Sequence, residues 1–228
     1  MLANDRLIKV YVGEGQPFLV QQMLLESLSD YFVRALERDK FSEGIYGELY
    51  VEGDDRCTWQ AVLHWLFKGV LPTNVKENPD RLIDLWIAGD KYGVDALQND
   101  AMYALLKQID ITRGDKTLSL VTIKNGVDCT APGTVMRKLL AQEILLAIDR
   151  ERSVQREELA TWDAVGLASD LLEAKDDYEE PFSKRFDNQN ALWKDFMLAD
   201  GGLGRDRSVF QLRKRKKTKS SLKRLRDT

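Results

Sequence analysis

A chain with one histidine and two cysteines has few ways to do acid–base or nucleophilic chemistry. His64 lies between Leu63 and Trp65 in an apolar helical stretch. A general base needs a nucleophile beside it and a group to orient it, and a metal site needs further ligands. No such residues are spaced around His64, so it reads as structural or solvated. Cys57 stands near a helix start, a setting for redox chemistry, but a small hydrophobe is the simpler reading. The glycine-bearing stretches GEGQP and GGLGRDR lack both phosphate-loop patterns. The acid-rich run Glu173 to Glu180, EAKDDYEE, has no central glycine for a calcium loop and reads as a solvated face. The strongest signal is the run RKRKKTKSSLKRLR, Arg213 to Arg226. Such a run suits the acidic groove of a nuclear import receptor or a phosphate backbone. No aromatic is interleaved to stack on bases, so contact with nucleic acid is at most non-specific. Arg213, Lys214, Arg215, Lys216 and Lys217 are the candidate import residues. Phosphate on Thr218, Ser220 or Ser221 would cancel charge there.

The elements that carry these residues follow from composition and periodicity. The 228 residues are 43% hydrophobic and 31% charged, enough for a sizeable core in one or two domains. No apolar run is long enough to span a membrane, and the N-terminus MLANDRLIKVYV lacks a secretory pattern. Two distant cysteines, Cys57 and Cys129, exclude a disulfide framework and point to a reducing compartment. The net charge of −3 hides an asymmetry. Residues 204–228 hold 11 Lys and Arg against 2 Asp, a net +9, which leaves residues 1–203 at −12. Such charge blocks mark disordered interaction tails.

RLIKVYVG alternates, with Ile8, Val10 and Val12 on one side, and predicts a strand. GEGQP is a turn, FLVQ a second strand, and the two a hairpin. QQMLLESLS predicts a short helix. Ser29 is a candidate N-cap for the next, striped by Phe32, Ala35 and Leu36. GELYVEG predicts a third strand with Leu49 and Val51 inward. Asp54 or Asp55 caps a helix through Trp59, Val62, Leu63 and Leu66 that stops at Gly69. Leu82, Leu85, Trp86, Gly89 and Tyr92 share one helical face. Gly93 ends that helix, where a left-handed residue is favoured, and Lys91 in its last turn suits the helix dipole. Val94, Leu97, Ala101, Met102 and Leu105 then open a second stripe, so two helices must pack as a hairpin. ITRGDK is a loop and the expected boundary. Beyond it the periodicity predicts helices near Leu118 to Ile123, along Val135, Leu139, Ile144 and Ile148, along Leu159, Trp162 and Leu172, and at Leu192, Phe196 and Met197. The five tryptophans lie on helical faces and read mostly as core.

This order, with IKVYVGEGQPFLV, LLESLSDYFVRAL, WQAVLHWLFKGVLP and above all LIDLWIAGDKYGVDALQNDAM, resembles the BTB/POZ domain in its fungal form. CTAPGTVMRKLL resembles the helical extension that follows it there. The signature hairpin is Trp86, Gly89, Asp90, Lys91, Tyr92 and Gly93. The resemblance implies an α+β BTB/POZ fold, a small mixed sheet with a cluster of short helices, at 5–108. A helical extension at 109–200 and a disordered basic tail at 201–228 complete the expected layout. It also implies a protein–protein interaction module without catalytic residues or cofactor, pairing as a homodimer or BTB heterodimer, or with a cullin scaffold. The family's dimer contact maps to Leu7, Ile8, Val10, Met23, Leu24 and Leu28. Its usual His-Lys-Asp run is Gln21-Gln22-Met23 here, and the hydrophobic-x-Glu motif of cullin-binding members is Arg81-Leu82-Ile83. The expected function is a non-enzymatic adaptor in the nucleus, with cytoplasm. The alternatives are a substrate adaptor of a cullin-type ubiquitin ligase and a chromatin-associated protein tethered by its tail.

Overall fold

In the computed structural model, which describes residues 6–37, 40–112, 118–150, 159, 161–176 and 192–199, the alternating stretch Leu7–Val12 forms strand β1. Ile8, Val10 and Val12 point into the core. Strand β2, Phe18–Gln21, runs antiparallel to β1 with Ile8 opposite Val20. Strand β3, Glu48–Val51, runs parallel to it on the other side, with Val10 opposite Leu49 and Val12 opposite Val51. The order is therefore β2-β1-β3. A parallel pair cannot be joined by a tight turn and needs a crossover. Here the crossover carries α1 (Gln22–Leu28), α2 (Asp30–Ala35) and α3 (Ser42–Tyr46). Ser29 holds the N-cap position of α2 with extended backbone, but its side chain makes no capping bond.

Asp55 is the residue that caps α4 (Arg56–Lys68), accepting from the backbone N–H of Cys57 at 2.6 Å and Thr58 at 3.2 Å. Burial opposes its charge, but these bonds and the Thr58 hydroxyl outweigh burial and hold its carboxyl below the usual range. Helix α4 ends at Gly69 in a left-handed turn. A single turn, α5 (Thr73–Lys76), precedes α6 (Pro79–Tyr92). Asn78 caps α6 and Pro79 supplies its first residue, where a missing N–H costs nothing. Gly93, at φ 63°, stops it, and α7 (Asp95–Thr112) begins almost at once. One inner stripe runs through Leu82, Leu85, Trp86, Gly89 and Tyr92, and the other through Val94, Leu97, Ala101, Met102 and Leu105. The two helices approach closely at Gly89: a Cβ there would stand 2.7 Å from Gln98 Cγ and 3.1 Å from its backbone N.

The following segment packs into the same core. It comprises α8 (Leu120–Asp128), α9 (Val135–Arg150), α10 (Leu167–Asp176) and a short 3-10 helix, Leu192–Phe196. Helix α7 runs past the expected boundary at 108, and buried residues from Ile8 to Phe196 form one cluster. Gly126 of α8 lets Leu140 and Ile83 approach, joining the extension to α6. Two helical expectations need correction. Trp162 lies in irregular chain ahead of α10, and Leu172 of that helix faces solvent, so Leu159, Trp162 and Leu172 do not form one stripe. Helix α10 instead buries Leu167, Asp170 and Ala174. Around Leu192 the chain is 3-10 rather than α, with Phe196 inside. The helix expected near Leu118 to Ile123 is α8, capped by Ser119, whose hydroxyl accepts from Thr122 N. The basic tail at 201–228 lies outside the described residues.

Gly89→Leu should overpack the α6–α7 contact and cost ~1–3 kcal/mol. A urea titration checks this; an unchanged midpoint would contradict the close approach at Gln98.

Candidate functional site

The α6–α7 hairpin is tied to the sheet and α4 through one carboxylate. Asp54 Oδ2 accepts from the Tyr92 hydroxyl at 2.6 Å and from Trp59 Nε1 at 2.8 Å. Its Oδ1 accepts from Lys91 Nζ at 2.9 Å, and the side chain is only 10% exposed. Lys91 also donates to the Glu52 carbonyl. Consecutive residues at the end of α6 thus grip the turn between β3 and α4. The Tyr92 ring stacks on Phe32 and meets Trp59 and Tyr31 edge-on, with centroids 5.2–5.5 Å away. Burial, and then the bond to Asp54, push the Tyr92 phenol well above its ordinary pKa. Sequence reading treated Lys91 as a dipole partner and Asp54 as a candidate cap. Periodicity carries no information about a contact between residues 38 positions apart.

The candidate dimer residues divide. Ile8, Val10 and Leu28 are buried in the chain's own core. Leu24 is half-buried against that core. Leu7 and Met23 are open, 55% and 47% exposed. The structure adds two residues that sequence reading gave no role: Leu19 at 60% and Tyr50 at 61% exposure. Directly paired residues of a sheet share a face. The pairs Leu7–Gln21, Lys9–Leu19, Lys9–Glu48 and Tyr11–Tyr50 therefore place Leu7, Leu19, Tyr11 and Tyr50 on one outer face. The two tyrosine rings stack at 4.7 Å and 7°. Lys9 donates to Glu48 at 3.1 Å, which holds that carboxyl below its usual range. The outer face is an apolar and aromatic band crossed by one ion pair.

The other singled-out residues are dispersed. Leu82 and Ile83 are buried and Arg81 pairs with Asp55 at 3.1 Å, so Arg81-Leu82-Ile83 supports the core and the cap of α4. His64 is exposed. Cys57 and Cys129 are both free and exposed. Among the described residues no group of His, Cys, Asp and Glu is placed to hold a metal ion, and no helix is long and apolar enough to cross a membrane. Arg213 to Lys217 lie outside the described residues, as does GGLGRDR. No family model, no curated protein and no solved structure matches the chain.

The Tyr92 phenol is held neutral in the folded chain. Its raised pKa therefore stabilises the fold below the free phenol's pKa of about 10, and this contribution is lost as pH rises above that value. Urea midpoints of the parent protein should fall as pH rises above about 10, and Tyr92→Phe should flatten part of that fall. At neutral pH, Asp54→Ala should cost about 1.5–3 kcal/mol for the charged hydrogen bonds it removes. Equal midpoints for parent and Asp54→Ala would refute the grip.

Proposed function

We propose that the chain is a BTB/POZ-type protein interaction module, a non-enzymatic adaptor that self-associates or binds another protein. Two features support the fold reading. The sheet order β2-β1-β3 has a helical crossover between its parallel strands, and the hairpin ends in Asp-Lys-Tyr-Gly. The observation that carries the function is the outer sheet face, where Leu7, Leu19 and Tyr50 are each more than half exposed; Met23 of α1 is also open, at 47%. Contiguous exposed apolar surface on a soluble fold marks an interaction site. Burying one such side chain is worth ~1.5–3 kcal/mol. The Met in place of the family's Asp at the start of α1 removes a charge there and adds exposed apolar area. The nuclear part of the proposal rests on the run Arg213 to Lys217 at the end of a body of opposite charge. That run matches the acidic groove of an import receptor by charge.

Sedimentation of the full chain at tens of micromolar should give a dimer, and Leu19→Asp should shift it towards monomer by about tenfold or more in dissociation constant. A parent protein that sediments as a monomer removes the self-association reading. For localisation, Ala at 213–217 in a fusion too large for passive entry should move the fluorescence to the cytoplasm. A fusion that stays nuclear, from a parent that binds DNA tightly at physiological salt, would replace import with chromatin tethering.

A further inference from the structure

Helix α4 turns at Gly69, and the chain through Val70 and Leu71 runs alongside α7 before entering α5. Between them lies a cavity of about 180 Å³, walled by Val70, Leu71, Tyr103 and Ala104 and flanked by Lys76 and Lys107. A cavity of ~150 Å³ takes a benzene ring, so this one admits a single large apolar side chain. Asp100, the carboxylate on its wall, accepts from Trp65 Nε1 at 2.7 Å, so part of its charge is engaged within the fold. Lys107 Nζ stands 6.0 Å from the Tyr103 ring centroid. Neither Lys76 nor Lys107 enters an ion pair among the described residues, and both are exposed.

We infer that this cleft is a docking slot for an acidic peptide of a partner protein, one that inserts a single large apolar anchor between flanking carboxylates. The inference rests on the reading of the chain as an interaction module and names the chemistry of one partner. The apolar walls take the anchor, which a free phosphate could not supply. The two ammonium groups take the carboxylates as point charges on flexible stems, which suits a peptide of variable backbone rather than a fixed bidentate pair. Complementary charge at such a rim sets encounter rate and selects against basic segments. The slot also lies on elements other than the strands and α1 that carry the self-association band, so both surfaces can be occupied together.

The test uses the full chain and fluorescence polarisation of a labelled peptide, Gly-Glu-Glu-Phe-Glu-Glu-Gly. Binding is expected, weakening with added salt. Lys76→Glu combined with Lys107→Glu should weaken it about tenfold or more, and Ala104→Leu, which fills the slot, about fivefold or more. A peptide with Gly for Phe, or with Lys for every Glu, should bind correspondingly worse. Three results overturn the slot: no binding at about 1 mM protein, equal binding of the Lys peptide, or binding unchanged in the double variant. The last would assign the contact to the basic run at 213–226, which every protein compared retains. Sedimentation of the same samples separates the two proposals. A dimer that ignores the peptide sinks the slot alone, whereas a monomer that binds it through Lys76 and Lys107 sinks self-association alone.

Discussion

The Asp54 carboxylate is the constraint on which the first half of the fold depends. A carboxylate this buried is costly unless its lone pairs are filled. Three donors fill them: an indole N–H from α4, and a phenol and an ammonium from the end of α6. The charge thereby fixes the position of the hairpin relative to the sheet, because β3 leads directly into Asp54. Gly93 can then end α6 at one place only, since a shift by one residue would carry Lys91 and Tyr92 away from their acceptor. The same geometry presses Tyr92 onto Phe32 and Trp59, so the polar grip and the aromatic packing reinforce each other.

A second buried charge organises the extension in the same manner. Arg137 on α9 is almost wholly enclosed and donates to Asp170 on α10 at 2.8 Å. Its remaining donors reach the carbonyls of Val127, Thr130 and Val165, and Gly133 N–H donates to Asp170. Every arm of the guanidinium ends on an acceptor, which is the condition under which a buried pair specifies a structure rather than weakening it. The loops after α8 and before α10 carry little apolar periodicity of their own and are positioned by these bonds. Ile83 of α6, buried against Gly126 of α8, joins the two halves in one core.

What was legible in the sequence was periodic. Ile8, Val10 and Val12 alternate on a half-buried strand. Leu82 to Tyr92 repeat every three or four residues, and the glycines at 69 and 93 mark where the chain must turn left-handed. The single-turn helices at 42–46 and 73–76 are too short for a stripe to emerge and were not legible. Trp162 was misleading because a large apolar residue in irregular chain looks the same in sequence as one on a helix. The candidate surface was half legible. Leu7 and Met23 follow from a resemblance, but Leu19 and Tyr50 depend on pairing register, and the cleft beside α7 depends on how Val70 and Tyr103 meet across the fold. Such information is not local to any window of sequence.

Asn99, buried on α7, donates its Nδ2 to the Leu198 carbonyl at 2.9 Å and accepts the Leu198 N–H at 2.7 Å on its Oδ1. This reciprocal clasp joins positions 99 residues apart, beside the edge-on contact of Tyr103 with Trp193. During synthesis from the N-terminus, α7 leaves the ribosome long before Leu198 exists. For that interval its two bonds to Leu198 cannot form. Closing so long a loop costs only about 0.6 kcal/mol more than closing one half its length, so the delay is one of timing rather than of energy. The newborn chain therefore passes through a stage in which this clasp between α7 and Leu198 is still open.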